Sequence, residues 1–323
     1  MTSATPSLAP APSAALPAAV AAGYLRRLGI TGPPGAAAQA IGAGQALGAG
    51  QALGPGQALG SAQVLGSAPS AAGLFALHRA HLERVPYENL DIQLGRPPAI
   101  DPELSARRFA AGRGGYCFHL NGAFAALLET LGYDVTRHIG GVCHDVADRE
   151  VGGNHLVLTV RVEGTAYFVD TGLGDGPYEP LPLRAGTYAQ GAFTYRMEPL
   201  PSGGGWTFLN EAGPNPAVNF RSAPATMADF AAEHARLSTD ADSTFVRTLA
   251  VLRRDAHGID VLRGRTLSRT DPVNGDTTRE LTTPEAFFQA LTTVFGCTLD
   301  DLSPADRALL WERAGSCPAR GAC

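Results

Sequence analysis

The hydrophobic period of this chain changes from helical to strand-like near Tyr133, and that change dictates a multi-part architecture before any motif is considered. Upstream, Leu74, Leu77, His78, His81 and Leu82 fall on one helical stripe. Phe118, Leu120, Phe124, Leu127, Leu128 and Leu131 fall on another, which Gly132 closes. Residues 16–28 and 104–111 read as two further helices. Downstream the pattern is strand-like: residues 135–142, 156–162, 166–169, 194–200 and 205–210 are short runs separated by Gly and Pro, which predicts an antiparallel barrel or sandwich. A helix over 225–235, strands near 244–254, 258–263, 266–269 and 278–281, and an amphipathic helix over 284–294 with Pro284 in its first turn predict a third, smaller mixed lobe. The expected class is α+β, divided at 1–132, 133–224 and 225–323, with a flexible C-terminal tail.

One segment stands outside this pattern. The hexad Gly44-Gln45-Ala46-Leu47-Gly48-Ala49 recurs at Gly50 and Gly56 and in a variant at Ala62. Glycine at that density cannot hold a helix, since each costs about 1 kcal/mol relative to Ala, so residues 35–70 are expected to be a disordered, expendable insertion. With a formal charge of −5, nothing points to nucleic acid or to an anionic membrane surface as a partner. The N-terminus lacks a basic region followed by a long apolar run, and no stretch has transmembrane length. Five cysteines, an odd number spread over 323 residues, fit reduced thiols in a cytoplasmic protein better than a disulfide framework. No metal site is expected, because there is no Cys-x-x-Cys pair and Cys143-His144 lacks a second ligand pair.

The chemistry concentrates at Arg113-Gly114-Gly115-Tyr116-Cys117-Phe118-His119-Leu120-Asn121, where a glycine turn delivers a cysteine to a helix start. Backbone N–H groups there lack partners, and the helix dipole favours an anion such as a thiolate. Taken alone, a buried inert cysteine is the commoner outcome. Partners come from the run Asn154 to Asp170. If Glu163-Gly164 is a two-residue turn, Val162 pairs with Thr165 and Asp170 falls opposite Val157, diagonal to His155 on the same face. A three-residue loop would put Asp170 on the other face, and a satisfied structural histidine remains the plain alternative. With Cys117 facing the hairpin, His155 would take the thiol proton and Asp170 would orient and charge-stabilise the imidazole. Spacing alone does not bring Cys117 to the hairpin.

Tyr24 to Gly29, Val85-Pro86-Tyr87-Glu88-Asn89-Leu90, the Arg113 to Cys117 motif, Asn154-His155-Leu156 and Asp170-Thr171-Gly172-Leu173-Gly174-Asp175 together resemble the arylamine N-acetyltransferase family, over nearly the whole chain outside the repeat insertion. The resemblance implies an N-terminal helical bundle, a central antiparallel β-barrel and a C-terminal α/β lid, with a papain-like triad of Cys117, His155 and Asp170 at the junction. It also implies a ping-pong reaction in which Cys117 takes an acetyl group from acetyl-coenzyme A and passes it to an arylamine, an arylhydrazine or a related amine.

By the same resemblance Gly172 and Gly174, with Gly152, approach the coenzyme, although a G-x-G alone is usually only a turn. Tyr87 and Leu173 line the acceptor pocket, with Leu173 standing where the family often has an aromatic residue; a plain core tyrosine is the alternative for Tyr87. Glu88 and Arg113 match a bracing ion pair. His119 departs from the glutamate of many bacterial relatives, and a packing or solvent role is expected for it. Two rival functions follow: an amide synthase that closes a macrolactam from a carrier-bound polyketide chain, and a non-enzymatic binding protein. The oligomeric state is left open.

Overall fold

The computed structural model describes residues 15–30, 68–210, 213 and 215–316. Most of the segment read as a disordered insertion, and the C-terminal tail from residue 317, lie outside the described residues. Residues 68–70, at the insertion's end, are described, and the Ser70 side chain caps the following helix by accepting from Gly73 N–H.

The first part comprises α1 (Ala18–Arg27), α2 (Ala71–Arg84), β1 (Tyr87–Glu88), α3 (Leu90–Gln93), α4 (Pro102–Ala110) and α5 (Cys117–Thr130). Helix α5 is central, with every residue from Cys117 to Leu128 buried. That is what an almost wholly apolar helix must do. Gly132, at φ +86°, ends it in the left-handed conformation that suits glycine.

Eight strands follow: β2 (Asp134–Cys143), β3 (His155–Val162), β4 (Thr165–Val169), β5 (Leu181–Pro182), β6 (Gly186–Gln190), β7 (Phe193–Pro199), β8 (Gly205–Leu209) and β9 (Ala217–Ala225). They form an antiparallel, barrel-like sheet in the order β5-β4-β3-β2-β9-β8-β7-β6, with β5 and β6 as its edges. Val157, Phe168, Met197, Phe208, Val218 and Phe220 fill its interior. The alternate residues Leu156, Leu158 and Val160 face outward into the helical core around α5. Burial on both faces explains why β3 reads as a nearly unbroken apolar run rather than a clean alternation. The hairpin is as expected: Val162 pairs with Thr165 across the two-residue turn.

The last part holds a 3₁₀ turn (Met227–Phe230), α6 (Ala231–Thr239), α7 (Thr244–Arg247), β10 (Ala250–Arg254), β11 (Ile259–Arg263), β12 (Thr266–Thr270), β13 (Thr277–Glu280), α8 (Pro284–Thr293) and α9 (Pro304–Gly315). Several elements depart from expectation. The helix assigned to 225–235 starts later, because β9 runs to Ala225 and a capping box of Thr226 with Asp229 opens the 3₁₀ turn instead. The strand assigned from 244 opens as α7, where Ser243 accepts from Phe245 N–H. Strands β6 and β9 and helix α9 were not anticipated. Tyr87–Glu88 is a two-residue strand that pairs with Leu252 and Val251 as the edge of the lid sheet β1-β10-β11-β12-β13. The bundle therefore contributes a strand to the lid.

Glu163, at φ +51°, is the one non-glycine residue with positive φ among those described, and its side chain is exposed. A left-handed L-residue costs about 1–2 kcal/mol, and Asn-Gly suits such a turn best. Glu163→Asn is therefore expected to stabilise the protein by about 1 kcal/mol, visible as a raised midpoint in thermal denaturation with activity unchanged.

Candidate active site

The turn before α5 is held from below by β1. Glu88 N–H donates to Gly115 carbonyl at 2.8 Å, and Tyr87 bridges Gly115 in parallel. Both glycines are required by close approach: a Cβ on Gly114 would sit 1.9 Å from the Pro86 carbonyl oxygen, and one on Gly115 would sit 2.6 Å from His119 Cβ. Tyr116 is the helix N-cap but offers no side-chain cap; its carbonyl accepts from His119 N–H at 2.9 Å, which leaves the N–H groups of Cys117 and Phe118 without an intrahelical acceptor. Cys117 is the first helical residue, buried, with its thiol 3.7 Å from the Asn154 carbonyl oxygen.

His155 opens β3, and its Nε2 lies 2.6 Å from Asp170 Oδ2, just past the end of β4. This is the diagonal pairing that the hairpin register predicts. Asp170 Oδ1 accepts from Asn121 Nδ2 and from Gly172 N–H, each at 2.8 Å. Asn121 is the residue that the motif reading passed over as a site member. It also donates to the Leu156 carbonyl at 2.6 Å and accepts from Thr171 N–H and Oγ1, so one amide ties α5 to both strands of the hairpin. Its place one turn beyond Cys117, on the same helix face, was the available signal. Burial pushes the His155 imidazolium down, but the negative charge of Asp170, then that of Cys117, and hydrogen bonds to both raise it to about 10. With Nε2 engaged by Asp170, Nδ1 is the nitrogen left for the Cys117 sulfur.

The expected Glu88–Arg113 pair is present at 3.5 Å within a larger cluster. Arg113 also lies 3.3 Å from Asp91 and 2.7 Å from Asp301, while Arg108 lies 2.7 Å from Asp91. These carboxylates outweigh burial and raise the Arg113 guanidinium. Glu88 accepts from Leu90 N–H at 2.7 Å and from Gly114 N–H at 3.2 Å, so the charge cluster grips the backbone that leads to Cys117.

His119 is buried, not solvated. Its ring packs edge-on to Tyr116 and near His234, its Nε2 lies 3.2 Å from the Pro98 carbonyl oxygen, and burial pushes it down to about 3. Tyr87 is half-buried beside Phe245, which also packs on Tyr116; burial, then the charges of Cys117 and Asp175, push the Tyr87 hydroxyl up. Phe245 thus joins the aromatic wall near the nucleophile, unannounced by any motif. Leu173 is buried in the barrel core. Gly172 presses on the nucleophile, since a Cβ there would lie 2.7 Å from Cys117 Cα. Gly174, at φ +79°, is buried against Leu252, whereas Gly152 is exposed, with open space where a Cβ would project. Among the described residues no group of three or more His, Cys, Asp or Glu is placed to hold a metal ion, and no helix is long and apolar enough to cross a membrane.

A family model described as N-acetyltransferase matches residues 71–303. The chain is 32% identical over 260 residues to the arylamine N-acetyltransferase of Mycolicibacterium smegmatis, covering 74% of this chain and 89% of that protein. The chain belongs to the arylamine N-acetyltransferase family. A shorter match, 37% identical over 117 residues, joins it to the arylamine N-acetyltransferase / N-hydroxyarylamine O-acetyltransferase of Salmonella typhimurium, covering 36% of this chain and 41% of that one. The Mycobacterium marinum arylamine N-acetyltransferase, solved in complex with CoA, superposes with a TM-score of 0.70 at 28% identity, covering 77% of this chain and 94% of the other. The protein is an acyltransferase by this membership, and its fold, a helical N-terminus followed by a barrel-like antiparallel sheet, is shared with the family's solved structures.

Two outcomes follow from the geometry. Asn121→Ala removes a donor from buried Asp170 and partners from Thr171, which should lower kcat/KM at least tenfold and destabilise the fold by about 1–3 kcal/mol, measured by steady-state kinetics and denaturant melts. His155 is raised, so the stability it contributes is complete below its unfolded pKa of about 6.5 and is lost as pH rises through about 10. NMR titration of its imidazole should show a midpoint well above the ordinary value, falling in Cys117→Ala and falling further in Asp170→Asn. An unshifted wild-type midpoint would contradict the charge assignment.

Proposed function

We propose that the protein moves an acetyl group from acetyl-coenzyme A to the nitrogen of an arylamine or arylhydrazine through an acetyl-Cys117 thioester. The observation that carries this reading is the buried His155–Asp170 contact of 2.6 Å beside a cysteine at a helix start. Family membership and the CoA-bound relative support it. The Cys117 thiolate attacks the thioester carbonyl while His155 stands as imidazolium, held by Asp170. The oxyanion that forms draws on the Cys117 N–H and the open N-terminus of α5. Collapse expels the coenzyme A thiolate, which takes the proton from His155, and leaves acetyl-Cys117. An amine then attacks the new thioester, His155 accepts the amine proton, and the second collapse releases the amide and restores the thiolate–imidazolium pair.

Asp170 and Asn121 do no bond-making in this scheme; they hold the imidazole and its charge. The aromatic wall of Tyr87 and Phe245 suits a flat acceptor ring. Of the glycines assigned to the coenzyme, Gly152 is the open one, while Gly172 and Gly174 shape the loop that carries Asp170. Metal chemistry has no part in the scheme, and the co-substrates are small molecules, consistent with a cytoplasmic enzyme.

The test is intact-mass measurement after incubation with acetyl-coenzyme A. A single acetyl adduct is expected, blocked by prior iodoacetamide labelling mapped to Cys117, absent in Cys117→Ser and discharged by an arylamine. An adduct that survives in Cys117→Ser, or that no amine removes, would rule the mechanism out.

A further inference from the structure

The lid meets the barrel at a buried arginine that the triad mechanism does not use. Arg254, the last residue of β10, is 1% exposed. Its guanidinium lies 4.1 Å from the centre of the Phe193 ring and 6.0 Å from that of Tyr178. Nη2 donates to the Tyr195 hydroxyl at 3.0 Å, and that hydroxyl donates to the Gly176 carbonyl at 3.4 Å. Nε and Nη1 find no acceptor among the described residues. Asp175 and Asp255 reach the guanidinium through their charge, with no ion pair formed.

Asp175 is just as buried, and its carboxylate accepts from Asn215 N–H at 3.1 Å, Asn215 Nδ2 at 2.8 Å and Asn210 Nδ2 at 3.4 Å. Residues 170–176 are therefore fixed at two ends. Asn121 holds the first end through Asp170. The second end is held by Asp175 and by the Tyr195 bond to Gly176, both of which Arg254 addresses from the lid. Between them, Gly174 packs so closely on Leu252 that a Cβ would lie 3.0 Å from its Cδ2.

We propose that Arg254 is a positioning residue for acyl transfer: acting through Tyr195 and Asp175, it anchors the far end of the segment that carries Asp170 and so keeps the triad acid on His155. The inference rests on the acyl-transfer reading only for its consequence, because the anchoring acts on the free enzyme. Burying a charge with unpaired donors is costly unless nearby charges and aromatic faces offset it, and here Asp175, Asp255, Phe193 and Tyr178 do so. The field of Arg254 opposes the protonation of Asp175, which burial pushes up to about 6 against the hydrogen bonds of Asn215, its own backbone N–H bond and the charge of Arg254. The other ionisable groups that reach Asp175 or Arg254 are Tyr87, Tyr195, Tyr178 and Asp255, of which Asp255 is itself paired with Arg269. Without Arg254, Asp175 protonates at higher pH and loses its charge-assisted contacts while the solution is still near neutral.

The experiment is the second-order rate of Cys117 alkylation by iodoacetamide against pH, mapped by peptide mass, with no acetyl donor present. In the wild type the rate should fall off below pH about 6 as Asp175 protonates. Arg254→Met should move that limb up by about one pH unit and lower the rate several-fold at neutral pH; Arg254→Lys, which keeps the charge, should hold the limb in place. Tyr195→Phe should lower the rate at every pH without moving the limb. A wild-type profile in Arg254→Met, a uniform loss with the limb unmoved, or a lysine variant no better than methionine would overturn the proposal. If Arg254→Met does not fold, Asp175→Asn decides it, because a limb that persists there at the same pH is incompatible with the inference. Failure of acetyl-coenzyme A to label Cys117 would sink the acyl-transfer reading and leave this profile to be judged separately.

Discussion

Everything at the junction of the three parts depends on keeping one carboxylate charged out of water. Asp170 is 0% exposed, and a carboxylate buried there without hydrogen-bond donors would destabilise the site. Three donors prevent that: His155 on one oxygen, Asn121 and Gly172 on the other. Each arrives from a different element, so the charge can be satisfied only when α5, the start of β3 and the loop after β4 are all in place. The carboxylate thus acts as an assembly constraint as well as a chemical group. A partly formed junction would leave it short of donors, and truncating the His155 or Asn121 side chain is expected to exceed the cost of an ordinary lost hydrogen bond.

The same logic repeats one layer below. Glu88, Asp91, Arg108 and Arg113 form a mostly buried cluster that Asp301 joins from near the chain's end. Its output is positional: Glu88 accepts from Gly114 N–H, and β1 carries Glu88 into the lid sheet. Bundle, lid and nucleophile turn are therefore linked through one glutamate. The cysteine needs this because neither Gly114 nor Gly115 constrains its own backbone; the conformational freedom that permits close approach must be removed by neighbours.

Much of this was legible in the sequence, and for identifiable reasons. The Glu163-Gly164 turn set the register, and register set the His155–Asp170 pairing, because a side-chain period of two leaves no other choice once the loop length is known. Helix α5 was legible because its apolar residues continue unbroken to Gly132. Other elements depended on tertiary partners. Strand β1 has two residues and exists only because β10 pairs with it. Strand β6 is mostly exposed and, as an edge, pairs in the sheet with β7, so it carries little apolar pattern. Helix α9 did carry a local signal, Ser303 and Asp306 around Pro304, but its polar composition masked it. Phe245 and Asp301 joined the site from more than a hundred residues downstream of Cys117, where no local pattern reports on proximity.

His119 shows how far environment, and not residue type, decides chemistry here. It and His155 are both about 1% exposed, and burial disfavours the charged form of each. His119 has a carbonyl and aromatic rings for neighbours, so the penalty stands and the ring is pushed down to about 3. His155 has Asp170 and Cys117, so the penalty is reversed and the ring is raised to about 10. Two residues from the nucleophile, a neutral imidazole adds bulk without adding charge, and it leaves the thiolate to pair with His155 alone. Its bulk in turn explains Gly115, whose missing Cβ is the space the His119 side chain occupies. A glutamate at this position would need a cation that the present neighbours do not supply, since Arg108 and Arg113 are already committed to Glu88 and Asp91. The departure at His119 is therefore compatible with the triad because its environment keeps it uncharged.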